Sequence, residues 1–170
     1  MHHTVNFKGR PVRLDGPRLK AGDRAPDAVL STNLLETTRL SETRGSVRIL
    51  SVVPSLDTKV CAIQTKRFNE EATRLSNVDI YTISVDLPPA QARFCETEGI
   101  DRRRIRVLSD HRDVAFGRAF GTLIPDLRIE CRAIFVLDKD DTIRHVEYVS
   151  EVTQEPDYDA ALRCVRQLVQ

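Results

Sequence analysis

The sequence predicts an α/β protein built on a central mixed sheet flanked by helices, with an N-terminal β-hairpin extension. Three observations carry this reading. Ser46–Val53 (SVRILSVV) and Val78–Val85 (VDIYTISV) are apolar, β-branched runs of the kind that form buried strands. Between them, Cys61, Thr65, Phe68, Ala72 and Leu75 recur at 4-3-4-3 spacing, one stripe of an amphipathic helix. Toward the C-terminus, Arg132–Leu137 (RAIFVL) and Thr142–Val149 flank a polar turn at Asp138–Asp141, which reads as an antiparallel hairpin.

In chain order, Thr4–Leu14 (TVNFKGRPVRL) reads as the short extension hairpin, with Gly9 in its turn. A polar stretch punctuated by Gly16, Pro17, Gly22 and Pro26 follows. The strand at 46–53, a loop at Pro54–Val60, the helix from Cys61 and the strand at 78–85 make a βαβ unit. Its two strands are therefore expected to be parallel. Pro88 opens a second helix, PPAQARFCETEG, which carries Cys95 and has Gly99 where a terminating glycine belongs. Ile105–Leu108 is a short strand and Asp113–Phe120 a short helix. Asp157 caps the last helix, DYDAALRCVRQLV. The order βαβ, a connecting helical region, then ββα is what a thioredoxin-like fold requires. At 170 residues the chain is expected to form one domain over 1–170, and no segment reads as an interdomain linker.

Composition narrows the function classes. A formal net charge of +1 gives no overall field for nucleic acid or for an anionic membrane. The local run Arg102, Arg103, Arg104 and Arg106 lacks an aromatic platform and reads as a solvated loop. No stretch approaches the ~20 apolar residues that span a bilayer. The start, MHHTVNFKGR, has no apolar core and no small-residue cleavage site, so a cytoplasmic home is expected. The cysteines are Cys61, Cys95, Cys131 and Cys164, with no CxxC, which counts against a structural zinc site and a thioredoxin-type dithiol. His2, His3, His111 and His145 are scattered and have no metal-ligand spacing.

The informative segment is Pro54-Ser55-Leu56-Asp57-Thr58-Lys59-Val60-Cys61, between the end of a buried strand and the first turn of a helix. Open α/β sheets bind ligands at the carboxyl ends of their strands. A helix N-terminus there offers unpaired N–H groups and partial positive charge, which favour a thiolate nucleophile. Position alone leaves two readings open, since Cys61 shares its stripe with Phe68 and Leu75 and free cysteine is often plain core. The neighbours favour chemistry. Pro54 is placed to shield the sulfur from water, and Thr58 to aim a hydroxyl at an oxygen bound beside it.

PSLDTKVC has the P-x-x-x-T-x-x-C pattern of the peroxiredoxins. SVDLPPAQARFC, the hairpin TVNFKGRPV, RAIFVLD and SEVTQEPDYDAAL resemble one branch of them, the bacterial thiol peroxidases or atypical 2-Cys peroxiredoxins. The resemblance implies a thiol-dependent peroxidase for hydrogen peroxide and organic hydroperoxides. It casts Cys61 as the peroxidatic cysteine that becomes a sulfenic acid. Thr58 is then the residue that orients peroxide, Pro54 the pocket cover, and Arg132 the guanidinium beside the thiolate. Read alone, Arg132 is a surface-strand residue, and the resemblance reverses that. Cys95 becomes the resolving cysteine of an intrachain Cys61–Cys95 disulfide, reduced by a thioredoxin-like dithiol protein. Both thiols sit on helices, so resolution is expected to need local unwinding. No metal, flavin or haem cofactor is implied, and a homodimer is.

The approach to Arg132, PDLRIEC, is shorter than the family's usual one, which leaves the pocket rim and the peroxide preference open. Neighbours in a strand face opposite sides, so Cys131 is expected to point away from the thiolate and to serve packing. Cys164 reads as core of the last helix. Two other functions compete: a general disulfide oxidoreductase, disfavoured by the missing CxxC, and a peroxide-sensing redox switch on the same cysteine pair.

Overall fold

The computed structural model describes residues 3–170, so His2 lies outside the described residues. The N-terminal hairpin is present: β1 (His3–Phe7) pairs antiparallel with β2 (Arg10–Leu14). Its turn, Lys8–Gly9, has positive φ at both residues (50° and 76°), the twist that suits a two-residue hairpin loop. Two three-residue strands, β3 (Val29–Ser31) and β4 (Thr37–Arg39), and a 3-10 turn at Leu40–Thr43 come next. Segments of three or four residues are too short to display a period in the sequence.

β5 (Val47–Val52) is buried at every position. It is followed by α1 (Lys59–Ala72) and β6 (Val78–Ser84). β5 and β6 run parallel from Val47↔Val78 to Val52↔Ile83, as the βαβ reading requires. The helix boundaries differ from expectation. α1 has Thr58 as its N-cap, so Lys59 and Val60 belong to the helix and not to the loop. It ends at Ala72, where Arg104 Nη1 donates to the terminal carbonyl at 3.0 Å. Leu75 therefore lies beyond the helix, although it still packs on the same core.

α2 (Pro88–Glu98) ends as expected on left-handed Gly99, with φ 66°. β7 (Ile105–Ser109) pairs parallel with β6. The basic run is only partly a solvated loop: Arg106 lies in β7 and bonds to Tyr81 Oη, and Arg104 closes α1. α3 (Ala115–Phe120) starts later than Asp113, because Val114 sits at φ 45°, outside the helical region. A small hairpin of β8 (Leu123–Ile124) and β9 (Ile129–Glu130) then intervenes, too short to leave a sequence pattern. β10 (Ala133–Leu137) and β11 (Ile143–Tyr148) form the expected C-terminal hairpin. α4 (Tyr158–Val169) is capped by Asp157, whose carboxylate accepts from Ala160 N at 3.0 Å.

The main sheet has the order β11-β10-β5-β6-β7-β3-β4 and is mixed, with β10 antiparallel to β5. Alternation along β10 builds two cores. Ala133, Phe135 and Leu137 pack on the face that carries α3, with Phe116 and Phe120. Ile134 and Val136 pack on the other face, with Phe68 of α1, Cys95 of α2 and Leu162 of α4. The helical face thus brings the elements that bear Cys61 and Cys95 onto one layer. Among the described residues no helix is long and apolar enough to cross a membrane.

One buried group under α3 gives the fold a pH dependence. Glu130 is fully buried, and Thr122 Oγ1 donates to its Oε2. Its Oε1 has no protein donor facing it. Asp110, beside it, accepts from Phe116 N and Gly117 N at 3.0 and 2.9 Å. Burial, and then the neighbouring Asp110, raise the Glu130 carboxyl well above its ordinary value of 4.5. A proton on Glu130 turns the orphaned oxygen into a donor. The folded state therefore prefers protonated Glu130. Its contribution to stability is full below about pH 4.5 and falls as pH rises through the raised value. Glu130→Gln offers the same donor and acceptor without a charge to desolvate. Thermal melts from pH 5 to 9 are expected to show a flatter profile for the variant, with its advantage at the alkaline end. Parallel profiles would show that Glu130 does not govern this dependence.

Candidate active site

The loop after β5 is tightly turned. Val53 N donates to Ile83 O, and Pro54 is buried directly after it. Ser55 is the pivot: its carbonyl accepts from Thr58 N at 3.3 Å and from Thr58 Oγ1 at 3.1 Å. Thr58, although the N-cap of α1, makes no side-chain cap bond, so its hydroxyl oxygen keeps its lone pairs. Cys61 follows as the third residue of α1, with its thiol free and fully buried. It sits in the turn whose N–H groups have no acceptor within the helix.

Arg132, just before β10, reaches this sulfur on the face of the sheet that carries α1. Its side chain is buried, and each of its three nitrogens has a partner. Nη2 donates to Cys61 Sγ at 3.3 Å, Nη1 to Gln64 Oε1 at 2.9 Å and Nε to Val152 O at 2.8 Å. Gln64 is itself buried and held by its Nε2, which donates to Ser51 Oγ at 2.7 Å. The guanidinium plane is therefore fixed by β5, α1 and the segment after β11 together. Among the described residues no carboxylate lies within ion-pair distance of Arg132. A buried cation without a counter-charge is costly. The remaining Nη2 donor is aimed at the Cys61 sulfur, where it would stabilise a negative charge.

The other thiols differ. Cys95 is buried in the last turn of α2, where its carbonyl accepts from Gly99 N and Ile100 N. Burial pushes its thiol up, against the opposing pull of Arg102. Cys131 packs in the opposite core with Phe120 and Phe135, and burial pushes its thiol up strongly. Although Cys131 and Arg132 precede the strand, they face opposite sides as expected. Cys164 is half-buried on α4, and burial raises its thiol too. The structure thus puts the Arg132 fork on the Cys61 sulfur, leaves Thr58 exposed at the start of α1 and Pro54 buried in the loop before it, and sets Cys95 on the same helical layer.

An open groove runs between α1 and α2 beside this place, lined by Leu56, Thr58, Ala62, Ile63, Asp86 and Phe94 among others. Lys66 of α1 and Glu98 of α2 bridge it with an ion pair. Sequence reasoning missed Gln64, Ser51 and Asp86. A signal existed for two of them: Ser51 interrupts an apolar strand run, and Gln64 falls three residues after Cys61 on a buried helix. No group of three His, Cys, Asp or Glu among the described residues could hold a metal ion.

A model of the Redoxin family matches residues 20–162. A protein named Thiol peroxidase from Bacillus subtilis is 50% identical over 165 residues, covering 97% of this chain and 98% of the relative. Another of that name from Oceanobacillus iheyensis is 52% identical over 159 residues, covering 94% and 96%. Among solved structures, a peroxiredoxin-like protein from Aquifex aeolicus matches with TM-score 0.90 at 42% identity, covering 98% of each chain. A thiol peroxidase from Chromobacterium violaceum matches with TM-score 0.87 at 19% identity, a likeness of fold alone.

Proposed function

Because the chain belongs to the Redoxin family, and within it to the thiol peroxidases, we propose that it reduces hydroperoxides at Cys61 and resolves the product with Cys95. The observation that carries the reading is the buried Arg132 fork, with Nη2 at 3.3 Å from Cys61 Sγ and no carboxylate to neutralise it. Thr58 orients the peroxide through its hydroxyl, and Pro54 keeps water from the sulfur. Hydrogen peroxide and organic hydroperoxides both fit the chemistry.

In the first step a lone pair of the Cys61 thiolate attacks the nearer peroxide oxygen. The S–O bond forms and the O–O bond breaks. The departing hydroxide or alkoxide takes up a proton, giving water or an alcohol and a Cys61 sulfenic acid. Negative charge moves from sulfur to the leaving oxygen, and Arg132 lies where both are within reach of a donor. In the second step the Cys95 thiolate attacks the sulfenic sulfur, the S–S bond forms, and the hydroxyl leaves as water after protonation. A thioredoxin-like dithiol then reduces the disulfide by exchange. No metal, flavin or haem enters this balance.

The reading takes 1–170 as one catalytic domain working as a cytoplasmic homodimer, the commonest closed symmetry. Sedimentation at working concentration tests the dimer. A one-shot peroxide sensor would use the same first step, but the names of the relatives favour the enzyme. Turnover separates the two: the enzyme consumes many equivalents of peroxide when reductant is supplied.

The arginine is tested by Arg132→Lys. The charge is kept, but one ammonium cannot serve Cys61, Gln64 and Val152 in a plane. Peroxide consumption driven by a dithiol reductant is expected to fall on the order of a hundredfold, the scale of losing one aimed donor. Measurement on the alkaline plateau keeps the thiolate fraction equal. A variant as fast as the parent would reduce Arg132 to a packing role.

A further inference from the structure

Asp86 lies between β6 and α2, two residues before Pro88. Its half-buried carboxylate gathers three donors. Oδ1 accepts from Ser55 Oγ at 2.9 Å, and Oδ2 from Leu56 N at 2.8 Å and Ser84 Oγ at 2.7 Å. Each is a charge-assisted bond, stronger than its neutral counterpart. On one side this anchors the pivot of the Cys61 loop, because Ser55 holds both the N–H and the hydroxyl of Thr58. On the other side the contacts run into α2. Ser84 Oγ accepts from Gln91 Nε2 at 3.1 Å, and the same amide nitrogen donates to Leu108 O at 2.9 Å. Gln91 is buried and sits one turn before Cys95 on α2. One carboxylate therefore ties the loop that leads into the first thiol's helix to the helix that carries the second.

We infer that Asp86 is a positioning residue that holds the Ser55–Thr58 turn against the start of α2, and so favours the folded arrangement in which Cys61 meets peroxide over the unwound one in which Cys95 reaches it. The inference rests on the roles proposed for Cys61 and Cys95. Both thiols are buried in helices, and a disulfide needs Cα atoms roughly 4.4–6.8 Å apart in a set orientation. Local helical structure must give way for the second step. The bonds to Asp86 oppose that release and at the same time keep Thr58 aimed for the first step. Loosening them should act on the two steps in opposite directions. A residue that merely supports the fold would not do this.

The test is Asp86→Asn, which keeps the size but removes the charge and one acceptor oxygen, so that either Ser55 Oγ or the pair Leu56 N and Ser84 Oγ faces an NH2 that cannot accept from it. Quenched-flow mass spectrometry reads the two steps separately. The second-order rate of Cys61 oxidation is expected to fall about tenfold, the scale of one charged hydrogen bond. The first-order rate of Cys61–Cys95 disulfide formation should hold or rise, and the yield of Cys61 sulfinic acid at high peroxide should fall. Asp86→Glu, which keeps the charge, should recover part of the first rate. Ser55→Ala removes a partner without touching the carboxylate. It should show the same split, and the double variant should be no worse than Asp86→Asn alone. Unchanged oxidation in Asp86→Asn, or both steps slowed together beside a lower Tm, would overturn the inference alone. A parent protein whose Cys61 stays reduced under peroxide would overturn the catalytic reading and this inference with it.

Discussion

Cys61→Ser is expected to bring dithiol-driven peroxide consumption down to background, a loss on the order of 10⁴-fold or more. The reason lies in the nucleophile. Serine's hydroxyl stays neutral near pH 7, and its oxygen cannot take up the peroxide oxygen as sulfur does. The variant also tests the electrostatic argument. With a neutral hydroxyl in place of sulfur, Arg132 Nη2 loses the thiolate that the proposed mechanism sets beside it, while its bonds to Gln64 and Val152 remain. The buried guanidinium is then left without a counter-charge, so Tm is expected to fall clearly, while its bonds to Gln64 and Val152 keep the fold. The measurement is peroxide loss with reductant present, beside circular dichroism of the same preparation. A folded Cys61→Ser protein that still turns over would sink the assignment of the nucleophile.

Several elements were legible because their signals are local. The apolar, β-branched runs SVRILSVV and VDIYTISV, with a helical stripe between, specify a parallel βαβ unit that needs no distant information. Asp157 and Gly99 announced their helix ends through backbone chemistry alone. The elements that were missed depend on partners far along the chain. β3 reaches the main sheet through the single pair Ser31↔Ser109, and Leu123 of β8 is bridged by Asp15, just after the N-terminal hairpin. The start of α1 was misplaced because apolar spacing begins at Cys61, whereas the helix begins where Ser55 fixes Thr58.

The site divides the same way. The P-x-x-x-T-x-x-C segment is contiguous, so Pro54, Thr58 and Cys61 could be read off one stretch of chain. Arg132 could be named only through resemblance, since a lone arginine at a strand's edge gives no hint that it is buried. Its planar clamp uses Gln64, 68 residues before it, and the carbonyl of Val152, 20 residues after it. Asp86 was invisible for a related reason. An aspartate before a proline-initiated helix reads as turn chemistry, and only the folded chain shows its carboxylate on Ser55 and Leu56.

Cys95→Ser separates the two chemical steps. The nucleophile, Arg132 and Thr58 are untouched, so the variant should react with one equivalent of peroxide at close to the parent's rate. It should then stall, with dithiol-driven turnover lowered on the order of a hundredfold or more, since no internal thiol remains to displace the sulfenic hydroxyl. Cys131 is a poor substitute. It lies in the opposite core, and burial raises its thiol strongly. Cys164 sits on α4, and its thiol is also raised by burial. Mass spectrometry of the stalled variant should find sulfenic acid at Cys61, passing to sulfinic acid under excess peroxide. The oxidised parent should give a peptide joining Cys61 to Cys95, with Cys131 and Cys164 still open to alkylation. A peptide joining Cys61 to Cys131 would move the resolving role across the sheet and break the argument from opposite faces. Normal dithiol-driven turnover without Cys95 would make this a one-cysteine peroxidase, resolved by the external thiol itself.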